Sequence, residues 1–227
     1  YNERIRVGGK LISDAMLASL LKEVLDTAED LSPSFFEVTT AATFLAFARE
    51  PADACVIEVG LGGRFDASNV ITQAACSVFC PIDLDHQQFL GNTITKIATD
   101  KAGILKPGCP AVSAIQGHEA EAALKAEAAK FGTVIDFVTA ADIAAIEPPL
   151  GLAGEHQFAN AALAAKALKT SGLQGITDGA IRVQSTKVSR IGCLLFCSKF
   201  ECPQSLMTFS SEYLRFSTYL MFNHIGC

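Results

Sequence analysis

The chain has 227 residues, a formal net charge of −6, half of its residues hydrophobic and 19% charged. That is enough for one α/β domain with a sizeable core and room for the edge of a second, and it is the composition of a globular rather than a disordered protein. No Lys/Arg run breaks the acidic balance and no stretch reaches about 18 apolar residues, so neither a nucleic-acid partner nor a membrane span is expected.

The opening, Tyr1-Asn2-Glu3-Arg4, is charged and lacks the apolar core of a signal peptide. It does not begin with Met, and the record is expected to open inside a longer chain. Asp14 to Asp26 reads as a helix with Ser13 or Asp14 as its cap, because Met16, Leu17, Leu20, Leu21, Val24 and Leu25 recur at helical spacing. Ser32-Pro33-Ser34 breaks the chain. Phe36 to Arg49 is a second helix, apolar almost all round, as befits one buried against a sheet.

Ala54 to Val59 is a short β-branched run ending in glycines, the pattern of a buried strand. Ala75 to Ile82 is another. Asn92 to Gly103 is helical, and Lys106-Pro107-Gly108 turns the chain. Pro110 to Ile115 and Thr133 to Val138 are further strands, separated by an Ala-rich helix from Glu119 to Lys130. Strands alternating with helices predict an α/β fold, a mostly parallel sheet with helices on both faces. Glu147 to Gly151 reads as a hinge, and Gln157 to Thr170 as a strong helix. The expected organisation is a central domain over 1–150, its closing helix over 151–182, and an atypical tail over 183–227.

That tail holds four of the eight cysteines in Phe- and Ser-rich text with no sustained periodicity, as a shifted reading frame or a mis-spliced end would produce. The spacing of Cys193, Cys197 and Cys202 matches no usual zinc pattern. Cys55, Cys76, Cys80 and Cys109 lie in or near strand-like runs and read as thiols of a reducing cytosol, hence a cytoplasmic protein.

Several residues could carry chemistry. Glu58 ends a strand buried on both faces, where a carboxylate is costly unless paired or metal-bound, and it ends at the sheet edge where open α/β folds place ligands. Backbone amides or an Arg could equally satisfy it. Gly60-Leu61-Gly62-Gly63-Arg64 follows. Glycines permit close backbone approach, but Phe65 stands where a dinucleotide fingerprint needs its third glycine, which weakens an oxidoreductase reading. Asp66 and Asn69 read as turn residues. Asp83-Leu84-Asp85-His86 follows the second strand, so His86 shares the edge with Glu58; imidazole plus carboxylate suits a divalent metal. Lys101, by itself, reads as a solvated helix charge. No G-x-x-x-x-G-K-[ST] phosphate cradle occurs.

Taken in order, Ser34-Phe35-Phe36-Glu37-Val38-Thr39-Thr40, Glu58 to Asn69, Leu84-Asp85-His86, Asp100 to Lys106 and Gly154 to Leu163 resemble consecutive motifs of folylpolyglutamate synthase/dihydrofolate synthase, in the Mur-ligase superfamily. The resemblance runs from residue 1 to about 182. It implies an ATP-dependent ligase: ATP phosphorylates a carboxylate of dihydropteroate or of a folate γ-glutamyl chain, and the amine of L-glutamate displaces phosphate. Phosphoryl transfer of this kind is mostly positioning and charge neutralisation.

The resemblance also implies roles. Glu58 and His86 would hold Mg²⁺. Lys101 would be carbamylated, becoming an acidic metal ligand and, with His86, part of the catalytic group. Phe35, Phe36, Glu37, Arg64, Phe65, Asp66 and Ala67 would line the substrate site, and Asn160 would contact the nucleotide. Expected partners are small molecules only (ATP, glutamate, folates), with the protein a monomer. A peptidoglycan-precursor Mur ligase is a near variant that the pterin-type segments disfavour. With the phosphate loop absent from the text, the chain by itself is expected to bind ATP poorly and to be inactive.

Overall fold

A computed structural model describes residues 1–50 and 52–181, together with the backbone of 195–196, 206–207 and 219–223. The chain opens with a short ribbon, β1 (Arg6–Val7) against β2 (Lys10–Leu11). Two glycines, Gly8 and Gly9, both at positive φ, make the turn between them. Helix α1 (Asp14–Thr27) starts at Ser13, whose side chain accepts from the Met16 amide, and it buries Leu17, Leu20 and Val24.

Helix α2 (Phe35–Arg49) starts at Ser34 in a reciprocal cap with Glu37. Its inner face carries Val38, Ala42, Ala46 and Phe47, and the small residues let it lie close to its neighbours. Arg49 donates to Glu23 at 2.6 Å, tying α2 to α1.

The four expected strands are present, each shorter than its apolar run: β3 (Cys55–Glu58), β4 (Cys76–Phe79), β5 (Ala111–Ser113) and β6 (Ile135–Phe137). The apolar flanks, such as Val59 and Cys80, are buried without joining a ladder. Helices α3 (Gln87–Leu90) and α4 (Ile94–Lys101) follow β4, and a 3-10 turn (Ala102–Ile104) extends α4. Helix α5 (His118–Lys130) joins β5 to β6, and a short α6 (Ala140–Ala144) precedes α7 (His156–Thr170). Strands β7 (Leu195–Phe196) and β8 (Leu206–Met207) pair in a separate ribbon.

The main sheet has the order β3-β9-β4-β5-β6, where β9 spans Tyr219–Asn223. β4, β5 and β6 are parallel. β9 is antiparallel to both β3 and β4, so β3 and β4 point the same way across it. The sheet is therefore mostly parallel with one reversed strand inserted. That strand lies in a tail whose text showed no sustained alternation; the rest of the expectation for 183–227 falls largely outside the described residues.

Helices cover both faces, as parallel strands require. Cys55, Ile57, Phe79 and Ala111 face a cluster built with α2, α4 and α5. Val56, Val78 and Val112 face a second cluster with Ala162, Leu163, Ala167 and Leu168 of α7. Residues 151–170 thus close one side of the same sheet. Cys55, Cys76 and Cys80 are buried. Burial pushes Cys55 up to about 11 and Cys76 up to about 12, which leaves both unreactive near neutrality. Among the described residues no helix is long and apolar enough to cross a membrane.

Candidate functional site

The C-terminal ends of β3 and β4 open onto one rim, from which the segments Val59–Ala75 and Cys80–Leu105 set out. Through the shared partner Leu220 of β9, Glu58 stands level with Val78 of β4. Strand alternation puts Glu58 on the face of Val56, the face covered by α7.

The glycine segment is folded by its own polar side chains. Asp66 accepts from the amides of Gly60 (3.0 Å) and Leu61 (2.8 Å) through one carboxylate oxygen. Its other oxygen accepts from the amide of Ser68 at 2.9 Å and from the Ser68 hydroxyl at 2.5 Å. Four donors on one carboxylate hold the loop shut on itself. Asp66→Ala should lower stability by about 2 kcal/mol, the usual worth of bonds to a charged acceptor, and should speed hydrogen exchange at Gly60 and Leu61. Unchanged exchange at those two amides would refute the assignment.

The loop is also pressed against the end of α4. A Cβ on Gly63 would lie 2.6 Å from the Lys101 carbonyl oxygen, and a Cβ on Gly103 would lie 2.5 Å from Arg64 Cβ and 2.8 Å from its amide nitrogen. The Arg64 amide donates to the Asp100 carbonyl at 3.0 Å. Only glycine at these two positions lets the backbones approach so closely.

Lys101 is 1% exposed, the reverse of a solvated helix charge. Burial lowers its pKa from 10.5 to about 8, while the carboxylates of Asp85 and Asp100 act the other way. An ammonium that releases its proton near pH 8 presents roughly a tenth of its population as free amine at pH 7, far more than an exposed lysine does. This is the property a lysine needs in order to react as a nucleophile.

The remaining sequence candidates divide. Phe36 lies on the loop: a Cβ at Gly60 would meet its ring at 2.9 Å. Phe35 is 71% exposed and stacks edge-on against Tyr1, with centroids 5.5 Å apart. Phe65 is 89% exposed at the loop tip, and Ala67 begins the 3-10 turn that follows (Ala67–Val70). Phe35, Phe36 and Phe65 are thus exposed or half-exposed aromatics, Phe36 against the loop and Phe65 within it.

Glu37 is occupied as a helix cap: its carboxylate accepts from the Ser34 amide at 2.8 Å and the Ser34 hydroxyl at 2.6 Å, which hold its pKa below the usual range. Arg64 turns its guanidinium toward α5, 3.3 Å from the Glu127 carboxylate, which also pairs with Lys130. His86 takes a left-handed backbone (φ 48°) at the start of α3, and its Nε2 lies 3.4 Å from Asp85. Asn160 sits on the first turns of α7 and donates to Gln157 at 3.2 Å.

Sequence reasoning missed Glu127, Lys106 and the binding role of Asn69 within the fold. Glu127 had a signal, since it shares the buried stripe of Ala123, Leu124 and Ala128 on α5.

Among the described residues no three His, Cys, Asp or Glu side chains are gathered around one point. A cation at this rim would take at most two ligands of these four types and complete its shell with other groups, water and substrate oxygens. Mg²⁺ binds in that way, and the carboxylates at the strand tips are donors it favours.

No protein-family model matches the chain. Curated proteins do. A mitochondrial folylpolyglutamate synthase of Cricetulus griseus is 36% identical over 172 residues, covering 71% of this chain and 29% of its own length. A dihydrofolate synthase/folylpolyglutamate synthase of Bacillus subtilis is 35% identical over 224 residues, covering 86% of this chain and 52% of its own. A solved folylpolyglutamate synthase in complex with AMPPCP and folate superposes with a TM-score of 0.68 at 30% identity, covering 80% of this chain and 52% of that one. Over its matched length, the chain belongs to the folylpolyglutamate synthase/dihydrofolate synthase family. It spans about half or less of the length of these relatives. In this folylpolyglutamate synthase-type chain the block Glu58–Asn69 leaves the end of β3, Leu84–His86 follows β4, and Asp100–Lys106 closes α4, while Ser34–Thr40 opens α2 and Gly154–Leu163 opens α7.

Proposed function

We propose that this chain supplies the folate- and metal-facing rim of an ATP-dependent ligase that joins L-glutamate to dihydropteroate or to a folate γ-glutamyl chain. The observation that carries the reading is the convergence at one sheet edge of a rigid glycine loop, exposed aromatics and a buried, low-pKa lysine. In this reading Phe35, Phe36 and Phe65 take the pterin, with Ala67 and the Asp66-folded backbone beneath it. Glu37 and Arg64 act from behind, by capping α2 and by anchoring the loop. Glu58 and His86 hold Mg²⁺, joined by Lys101 as its carbamate, formed when the free amine takes up CO₂ and loses a proton. Asn160 contacts the nucleotide. The ion, when bound, neutralises charge on the transferring phosphoryl group.

The chain's own groups then position the acceptor carboxylate, keep Lys101 out of bulk water, and leave the incoming amine an open approach over the loop. The relative solved with AMPPCP and folate supports ATP as co-substrate. The buried thiols support a cytoplasmic protein, read as a monomer whose central domain over 1–150 is closed by the segment 151–182.

The test is glutamate-dependent ADP release by a version extended upstream with a glycine-rich phosphate-binding loop, in the presence of Mg²⁺ and dihydropteroate or folate. Release that requires both glutamate and the pterin substrate is expected. A folded protein that releases no ADP, or that binds a nicotinamide cofactor instead, would overturn the reading.

A further inference from the structure

Asn69 spends its whole side chain on three separate pieces of the site. Its Nδ2 donates to the Arg64 carbonyl at 3.1 Å and to the Gly103 carbonyl at 3.0 Å. Its Oδ1 accepts from the Lys106 Nζ at 2.7 Å, in a part-buried setting. Arg64 belongs to the glycine loop, Gly103 to the 3-10 turn directly after Lys101, and Lys106 to the turn beyond it. Both turns are anchored: Ser77 of β4 donates to the Ile104 carbonyl of the first at 3.2 Å, and Thr133 donates to the Lys106 carbonyl of the second at 3.2 Å. Burial lowers the Lys106 pKa.

We propose that Asn69 and Lys106 are positioning residues that lock the glycine loop to the Lys101 segment, so that the substrate-facing loop and the buried lysine keep one fixed geometry. Its consequence for catalysis rests on the ligase reading above; the coupling itself does not. A bond between a charged donor and a part-buried amide is worth more than an exposed one, and loss of the Asn69 side chain leaves the Arg64 and Gly103 carbonyls and the Lys106 ammonium to find water.

The test uses the 227-residue chain and three variants, Asn69→Leu, Lys106→Met and Lys106→Arg. Pulse acetylation with acetic anhydride, read lysine by lysine by mass spectrometry, gives the ratio of Lys101 to Lys166 labelling. Lys166 is the internal reference, since it is held on α7 by Asp136 and Asp142 away from the loop. The ratio should rise roughly tenfold in Asn69→Leu and Lys106→Met, the factor expected from losing one charge-assisted bond. It should return close to the parent value in Lys106→Arg, which can donate to the same oxygen.

A general loss of stability would raise both lysines together and leave the ratio unchanged, and that result overturns the proposal. So does a Lys106→Met ratio equal to the parent's. Should Asn69→Leu not fold, Lys106→Met decides, because it keeps both Asn69 Nδ2 bonds. The labelling needs neither ATP nor glutamate, so a negative here leaves the ligase reading standing, and failure of ADP release leaves this ratio intact.

Discussion

Gly103→Ala is expected to cost about 3 kcal/mol or more, enough to unfold a domain of ordinary stability at modest temperature. The added methyl would sit 2.5 Å from Arg64 Cβ and 2.8 Å from its amide nitrogen. Neither neighbour can swing aside. The Arg64 amide is bonded to the Asp100 carbonyl, its carbonyl to Asn69, and its guanidinium to Glu127. Relief would require the loop to part from α4 along its length. Urea unfolding of the variant measures the cost. A midpoint within a few tenths molar of the parent, with the same slope, would show that the loop and helix are not in contact as described. Gly8→Ala makes a useful comparison, since nothing crowds that site, although its positive φ carries a small strain of its own.

Lys101→Met should do the opposite to stability while removing function. With the lysine's pKa at about 8 in the folded chain and near 10.5 when unfolded, the unfolded state binds more protons between those values. Stability of the parent therefore rises with pH through the window from about 8 to 10.5, and the full cost of enclosing the charge, roughly 3 kcal/mol, is present below it. Methionine fills a similar volume with no charge. In CO₂-free buffer at pH 7 the variant should melt higher than the parent, and the difference should shrink to near zero above pH 10.5. In the upstream-extended enzyme the same substitution should lower glutamate-dependent ADP release by about a hundredfold or more, the scale of losing one preorganised electrostatic group. A variant that melts lower at pH 7, or that keeps its activity, contradicts the placement or the role of Lys101 respectively.

Both predictions depend on features that the sequence showed unequally. Strands β3 to β6 were readable because fully buried strands are runs of apolar residues bounded by turns, and only their ends were overestimated. Apolar residues such as Val59 and Cys80 continue into the core after the ladder stops. The start of α1 was readable from Ser13, whereas Ser34, read only as part of a chain break, caps α2. Ser34-x-x-Glu37 is itself a capping-box signature, so the local employment of Glu37 was visible in four letters.

Lys101 was the instructive error. It stands four places after Ile97 and three after Ala98, on the same buried stripe of α4. A lysine is ordinarily assigned to water by its charge, and here the period was the better guide. The hub formed by Asn69 was not legible, because its partners Gly103 and Lys106 lie more than 30 positions away. No local rule links an asparagine in a turn to carbonyls that distant. Nor could alternation reveal β9, whose partners are strands near the other end of the text.

The placement of β9 bears on how the molecule is made. Cys55 finds its ladder partner in Asn223, more than 160 positions later, and Cys76 finds Phe222. Pairings so remote in sequence carry a high loop-closure cost and form late. While a ribosome is still emitting the intervening residues, β3 and β4 stand with open edges on either side of a gap, ready to accept any passing strand. Yield from a cell should therefore respond to chaperone supply and growth temperature more sharply than the finished protein's melting point would suggest.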